Sequence, residues 1–219
     1  MNLNFFKNLS RKREIAKFAA KSGLLSFGFV DQKSDEHKIV RGLTVSDTHH
    51  DNSYLVGSVG GYDVTIVDRS DNVHMSGGKI DKCNWQILAV DLHTDYRIPH
   101  FLISANNHDI RAYSALFTSF PNMKEEQLGI FEQYSQEFTT RFTIFARPAK
   151  SAEIQQFLNA DITRTIGAHF WPLTVEQHDN VLYIYATKEP ISLGLLNTML
   201  ENGIWLAGQL DTTSHQIKE

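Results

Sequence analysis

The stretch VSDTHHD, residues 45 to 51, holds four side chains of the kinds that bind hard divalent cations: Asp47, His49, His50 and Asp51. Carboxylate oxygens and imidazole nitrogens suit such ions, and two of them held close together activate water against a phosphate ester. Asp91, His93 and Asp95 form a second group, and His108 with Asp109 in NNHD a third. If the three converged, the chain would be a metal-assisted hydrolase.

The surroundings of these letters point elsewhere. Calcineurin-like metallophosphoesterases place Asp-x-His after a buried parallel strand and before a helix. Here a hairpin centred on Gly60-Gly61 follows instead. Their bridging Gly-Asp is replaced by VDLH, their late Gly-His-x-His is missing, and Asn106 stands where they have glycine. Asp, Asn, Ser and His are also ordinary residues of solvated turns at strand ends. There is no Gly-x-Ser-x-Gly, phosphate loop, Gly-x-Gly-x-x-Gly or His-Glu-x-x-His. The sequence therefore assigns no catalytic residue, no metal ligand and no cofactor. A phosphoesterase-like hydrolase built on 47–51 and 91–109 is kept as the alternative function. His100, beside Pro99, reads as a hydrogen-bonded structural histidine, and the single cysteine, Cys83, as a small packed residue.

Charge supplies a second candidate. The chain of 219 residues carries a net −4, yet residues 1 to 22 hold six cations against Glu14 alone. The arm is thus +5 and the body −9. An acidic body argues against nucleic acid as partner. The arm sets Phe5, Phe6, Lys7 and Leu9 beside Arg11, Lys12 and Arg13. Aromatics next to a cationic cluster suit an anionic membrane surface or an acidic protein partner. No run reaches the roughly 18 to 20 apolar residues of a membrane span, and no signal peptide is visible. One cysteine fits a reducing compartment. The expected location is the cytoplasm, or peripheral at the inner membrane face.

These residues need a scaffold to position them. SRKREIAKFAAKSG reads as a helix capped by Ser10 and closed by Gly23, with Ile15, Phe18 and Ala19 as its core stripe. LLSFGFVD and IVRGLTV are strand candidates. YLVGSVGGYDVTIVD is a hairpin turning at Gly60-Gly61, and RSDNVHMSGGKIDK a loop. WQILAVDL and RIPHFLIS are two more strands. A short helix is expected near KEEQLGIFEQY, a strand in FTTRFTIFA, a helix at SAEIQQFL, and a hairpin in FWPLTVEQHDNVLYIYA with its turn at His178-Asp179-Asn180. PISLGLLNTML reads as a further helix. Hairpins rather than βαβ units predict an α+β fold: antiparallel hairpin-based sheet, N-terminal helix, C-terminal helices. The expected divisions are an arm at 1–22, a β-rich domain at 23–120, an α+β segment at 121–210, possible as one domain with the preceding part, and a frayed tail at 211–219.

Three pieces carry a resemblance: RKREIAKFAAKSGLLSFGF, WQILAVDLHTDYRIPHFLI, and FTIFARPAKSAEIQQFL with NVLYIYA. The layout resembles a group of uncharacterised bacterial proteins of candidate-phylum type. In these a basic N-terminal helix precedes a β-rich domain with a Leu/Ile-Pro-His motif and an α+β segment. The resemblance implies a folded intracellular module and brings no site residues. The function expected from sequence is a non-enzymatic binding or scaffolding module docking through its arm.

Overall fold

Gly60 and Gly61 both take positive φ, +59° and +88°, the combination a two-residue primed turn requires. They join β2 (His50–Val59) to β3 (Tyr62–His74), with Val59 opposite Tyr62. The computed structural model describes residues 3–29, 40–45, 48–74, 80–106, 120–129, 131–187 and 191–218. Among these, nine strands form one sheet in the order β1-β2-β3-β4-β9-β8-β5-β7-β6, every pairing antiparallel. The remaining strands are β1 (Leu25–Phe29), β4 (Ile80–Asp91), β5 (Phe101–Ala105), β6 (Lys124–Glu125), β7 (Phe142–Ala146), β8 (Thr174–His178) and β9 (Val181–Thr187). The expected α+β class holds.

One row of side chains runs across the sheet. Leu55, Ile66, Leu88, Ile184, Val175, Ile103 and Ile144 are successive partners over seven strands, and all are buried. Each contributes about 1.5–3 kcal/mol by leaving water. Five helices supply the apolar partners: α1 (Leu3–Ser22), α2 (Gln136–Arg141), α3 (Ser151–Phe157), α4 (Ala160–His169) and α5 (Leu193–Lys218). α1 sets Ile15, Phe18 and Ala19 into this core, as its spacing predicts. It ends at Gly23, φ +70°, where the Leu24 N–H donates to the Ala19 carbonyl at 3.0 Å, the six-to-one bond of a Schellman cap. Ser10 is not its N-cap, because the helix already begins at Leu3.

The opposite face has a second core, with Trp85, Tyr54, Tyr183 and Tyr185 among its members, closed in part by Val40 and Leu43. Residues 40–45, expected as strand, are irregular chain instead. Gly42 explains this: it sits at φ +76°, and a Cβ there would collide with the Tyr185 hydroxyl. Most of the expected loop 69–82 is ladder, with Ser70 opposite Asn84 and His74 opposite Ile80. Its polar residues are there because Arg69 and Asp71 have polar partners inside the protein. The helix expected near KEEQLGIFEQY is the two-residue β6 and a 3-10 turn at Phe131–Gln133, and Phe138 lies in α2 rather than in a strand. α4 has no counterpart in the sequence reading.

The soft boundary near residue 120 does not divide the sheet, since β4 pairs with β9 and β5 with β7 and β8. The tail read as frayed is the end of α5, which stays helical to Lys218. Asp211 and Ser214 are buried there; Asp211 accepts from the backbone N–H groups of His93 and Thr94, both at 3.1 Å, and from the Tyr62 hydroxyl at 2.9 Å.

Candidate functional site

Pairing register brings three distant segments to one end of the sheet. Phe101 of β5 faces Ala146 of β7 on one side and Gln177 of β8 on the other. The neighbouring residue on each line is His100, Arg147 or His178, and strands lie only about 4.8 Å apart. All three line a cleft of about 300 Å³, together with Arg97, Lys150 and Asp179.

Each wall is fixed from the backbone outward. The β8–β9 turn uses Asp179 and Asn180 at φ +50° and +58°, a left-handed pair that Asp and Asn tolerate. Asn180 then pins the loop between β4 and β5: its side-chain N–H donates to the Thr94 carbonyl at 2.9 Å and its Oδ1 accepts from the Ile98 N–H at 3.2 Å. The third wall is the 3-10 turn Pro148–Lys150, where the Lys150 N–H donates to the Arg147 carbonyl at 2.8 Å. Arg97 meets Asp179 at 3.2 Å and Lys150 meets Glu153 at 2.6 Å, both exposed pairs of the kind worth at most about 1 kcal/mol. Among the described residues Arg147 has no carboxylate partner.

Behind His100 lies a buried carboxylate. Glu176 has no exposed side-chain surface. Its Oε1 lies 2.7 Å from His100 Nε2, and its Oε2 accepts from the Leu43 N–H at 2.7 Å and the Tyr185 hydroxyl at 2.5 Å. Burial and the adjacent Glu176 push the Tyr185 phenol well above its ordinary pKa, so it remains a donor. His178 lies against His100 with ring centroids 4.3 Å apart and the rings tilted by 38°, and Phe120 packs edge-on against both. Burial first, and His100 second, lower the His178 pKa. His178 thus holds a proton less readily than a free imidazole, beside Arg97, Arg147 and Lys150 on the walls.

The sequence picked out His100 as a hydrogen-bonded histidine, and its Glu176 contact bears this out. It did not find Arg97, Arg147, Lys150, Glu176 or His178 as a group. The available signal was Glu176 itself, a charge within the strand TVEQH.

The metal candidates fall apart by position. Asp51 is paired with Arg69 at 2.6 Å, both side chains fully buried. Asp51 faces Arg69 and Arg69 faces Trp85, so Asp91, six residues along β4, lies about 20 Å away. His93 stacks on Tyr62 at 4.4 Å, while Asp95 is exposed and 3.5 Å from Lys218. Asp47, His108 and Asp109 lie outside the described residues. Among the described residues, no three His, Cys, Asp or Glu side chains form a ligand set.

Of the arm residues, Phe5, Phe6, Lys7 and Leu9 have helical backbone, and their side chains lie outside the description. Arg11 is turned inward and committed to Asp68, its Nε 2.6 Å from Oδ2. Lys12 and Arg13 are exposed. Among the described residues no helix is long and apolar enough to cross a membrane.

No family model and no curated protein matches the chain. A solved structure does. It is the crystal structure of the mycobacterial trehalose monomycolate transport factor A, TtfA, with a TM-score of 0.51 over 92% of this chain and 93% of that chain, at 9% identity. What the two share is the fold.

Proposed function

We propose that this chain is a non-enzymatic binding module that docks through α1 on an anionic membrane surface, at the cytoplasmic face. The observation that supports this is the outer line of α1. Arg13, Lys17 and Lys21 stand at i, i+4 and i+8, all exposed with Lys12 beside them, while Ile15, Phe18 and Ala19 are buried. Like charges at i, i+4 cost a helix about 0.2–0.5 kcal/mol a pair. Lys17 has relief within the helix, from Glu14 at 2.7 Å, and α1 has no acid in its first turn. Each cation brought to an anionic surface returns about 1 kcal/mol. Phe5, Phe6, Lys7 and Leu9 would extend the same contact at the N-terminal end, whereas Arg11 is withdrawn from it by Asp68.

The separation of Asp51 from Asp91 favours binding over metal-assisted hydrolysis. A transport factor of the same fold is compatible with a binding role. An acidic protein partner would read the same line of cations, and lipid vesicles separate the two. Full-length protein should sediment with vesicles containing phosphatidylglycerol at low salt, ignore phosphatidylcholine vesicles, and release as salt rises. The triple variant R13E/K17E/K21E should bind at least about tenfold more weakly. Wild-type protein that ignores anionic vesicles at low salt would remove the membrane and leave the acidic partner.

A further inference from the structure

We infer that the cleft between the β4–β5 loop, the 147–150 turn and the β8–β9 turn is a binding site for a phosphate monoester. Two of the three walls bring cations: Arg97 from the β4–β5 loop, and Arg147 and Lys150 from the 147–150 turn. Asp179 meets Arg97 and Glu153 meets Lys150, so Arg147 is the cation to which a ligand adds most. A carboxylate ligand is planar and fits one guanidinium fork. A phosphate dianion is tetrahedral and can accept from Arg97 on one wall and from Arg147 and Lys150 on another at once. His178 adds a neutral ring able to donate at the mouth and to take up a proton when a dianion arrives. The volume of about 300 Å³ lies at the small end of ligand sites, enough for a phosphate and a short organic stem.

Glu176 makes the site specific rather than merely basic. It is fully buried, and it holds His100 at 2.7 Å while Tyr185 and the Leu43 amide hold it in turn. His100 is therefore held from behind, and the His178 ring packs against it. A cluster of solvated cations would need no such support. The inference does not rest on the docking of α1, which uses different residues.

The test is a titration of the full-length protein with inorganic phosphate, glycerol phosphate and acetate, following the imidazole resonances by NMR. Both phosphates should move the His178 and His100 signals saturably and raise the pH at which His178 titrates, while acetate should not. R147A should weaken phosphate binding at least about tenfold with an unchanged melting temperature, since Arg147 is exposed. R147K should recover part of the loss. Two sources of the ester are then separated in the R13E/K17E/K21E background. Selective binding to phosphatidic acid vesicles over phosphatidylglycerol assigns a lipid headgroup, and glycerol phosphate binding without it assigns a soluble ester. Equal response to acetate, or phosphate affinity untouched by R147A, would overturn the proposal.

Discussion

Among the described residues two carboxylates are wholly buried against a cation-capable partner, and they are buried in different ways. Asp51 receives both Nε and Nη2 of Arg69 at 2.6 Å, with the Tyr54 hydroxyl at 3.0 Å. The rest of the guanidinium is taken by the Val40 carbonyl at 2.6 Å and the Thr44 hydroxyl at 3.0 Å. Neither side chain has any exposed surface. Glu176 instead faces an imidazole that is itself 10% exposed and lies at the bottom of an open cleft. A guanidinium keeps its charge at any physiological pH, whereas an imidazole does not. The first pair can only be structural; the second can respond to what enters the cleft. Both are tied to the same short segment, since Arg69 donates to Val40 and Thr44 while Glu176 accepts from Leu43.

That contrast can be broken in three places. Asp51→Ala leaves the Arg69 charge buried with only a hydroxyl and carbonyls around it, and should destabilise the fold by about 3–5 kcal/mol in a denaturant titration. Glu176→Gln retains an acceptor for Leu43 and leaves His100 with a neutral partner at the cleft, so its cost should be smaller, about 1–3 kcal/mol. Equal costs for the two variants would mean the pairs are not different in kind. The smallest effect concerns pH. The folded pKa of His178 lies below its ordinary value of 6.5, so the folded protein binds this proton less readily than the unfolded chain. Its stabilisation is present above pH 6.5 and is lost as pH falls through the depressed folded value. His178→Gln should flatten the melting temperature against pH in that window. An unchanged profile would show that the acid sensitivity comes from another group.

What the sequence made legible is what neighbours along the chain decide. Gly60-Gly61 and Asp179-Asn180 are turns by their own backbone preferences, and Ile15/Phe18/Ala19 is a stripe by spacing alone. Residues 69–74 looked like loop because RSDNVHMSGGKIDK is polar and Gly-rich. They are strand because Asp51 meets Arg69 from 18 positions away and Thr48 meets Asp71 from 23. Likewise the final turns of α5 looked frayed, since TTSHQIKE is polar, yet Asp211 is the acceptor that holds the β4–β5 loop. The cleft was illegible for the same reason. Arg97, Arg147 and His178 are neighbours only because Phe101 pairs with both Ala146 and Gln177, and register between strands so far apart leaves no local mark.

The strand order has a consequence for how the molecule is made. The β8–β9 hairpin is the last part of the sheet to be synthesised, and it occupies the middle: β9 bonds to β4 and β8 to β5. Until residues 174 to 187 leave the ribosome, β1–β4 and β5–β7–β6 are two half-sheets, with β4 and β5 as bare edges. Such edges invite pairing with other chains, and contacts this distant in sequence form slowly. The hairpin is a keystone, and the nascent chain depends on its late arrival to close the gap.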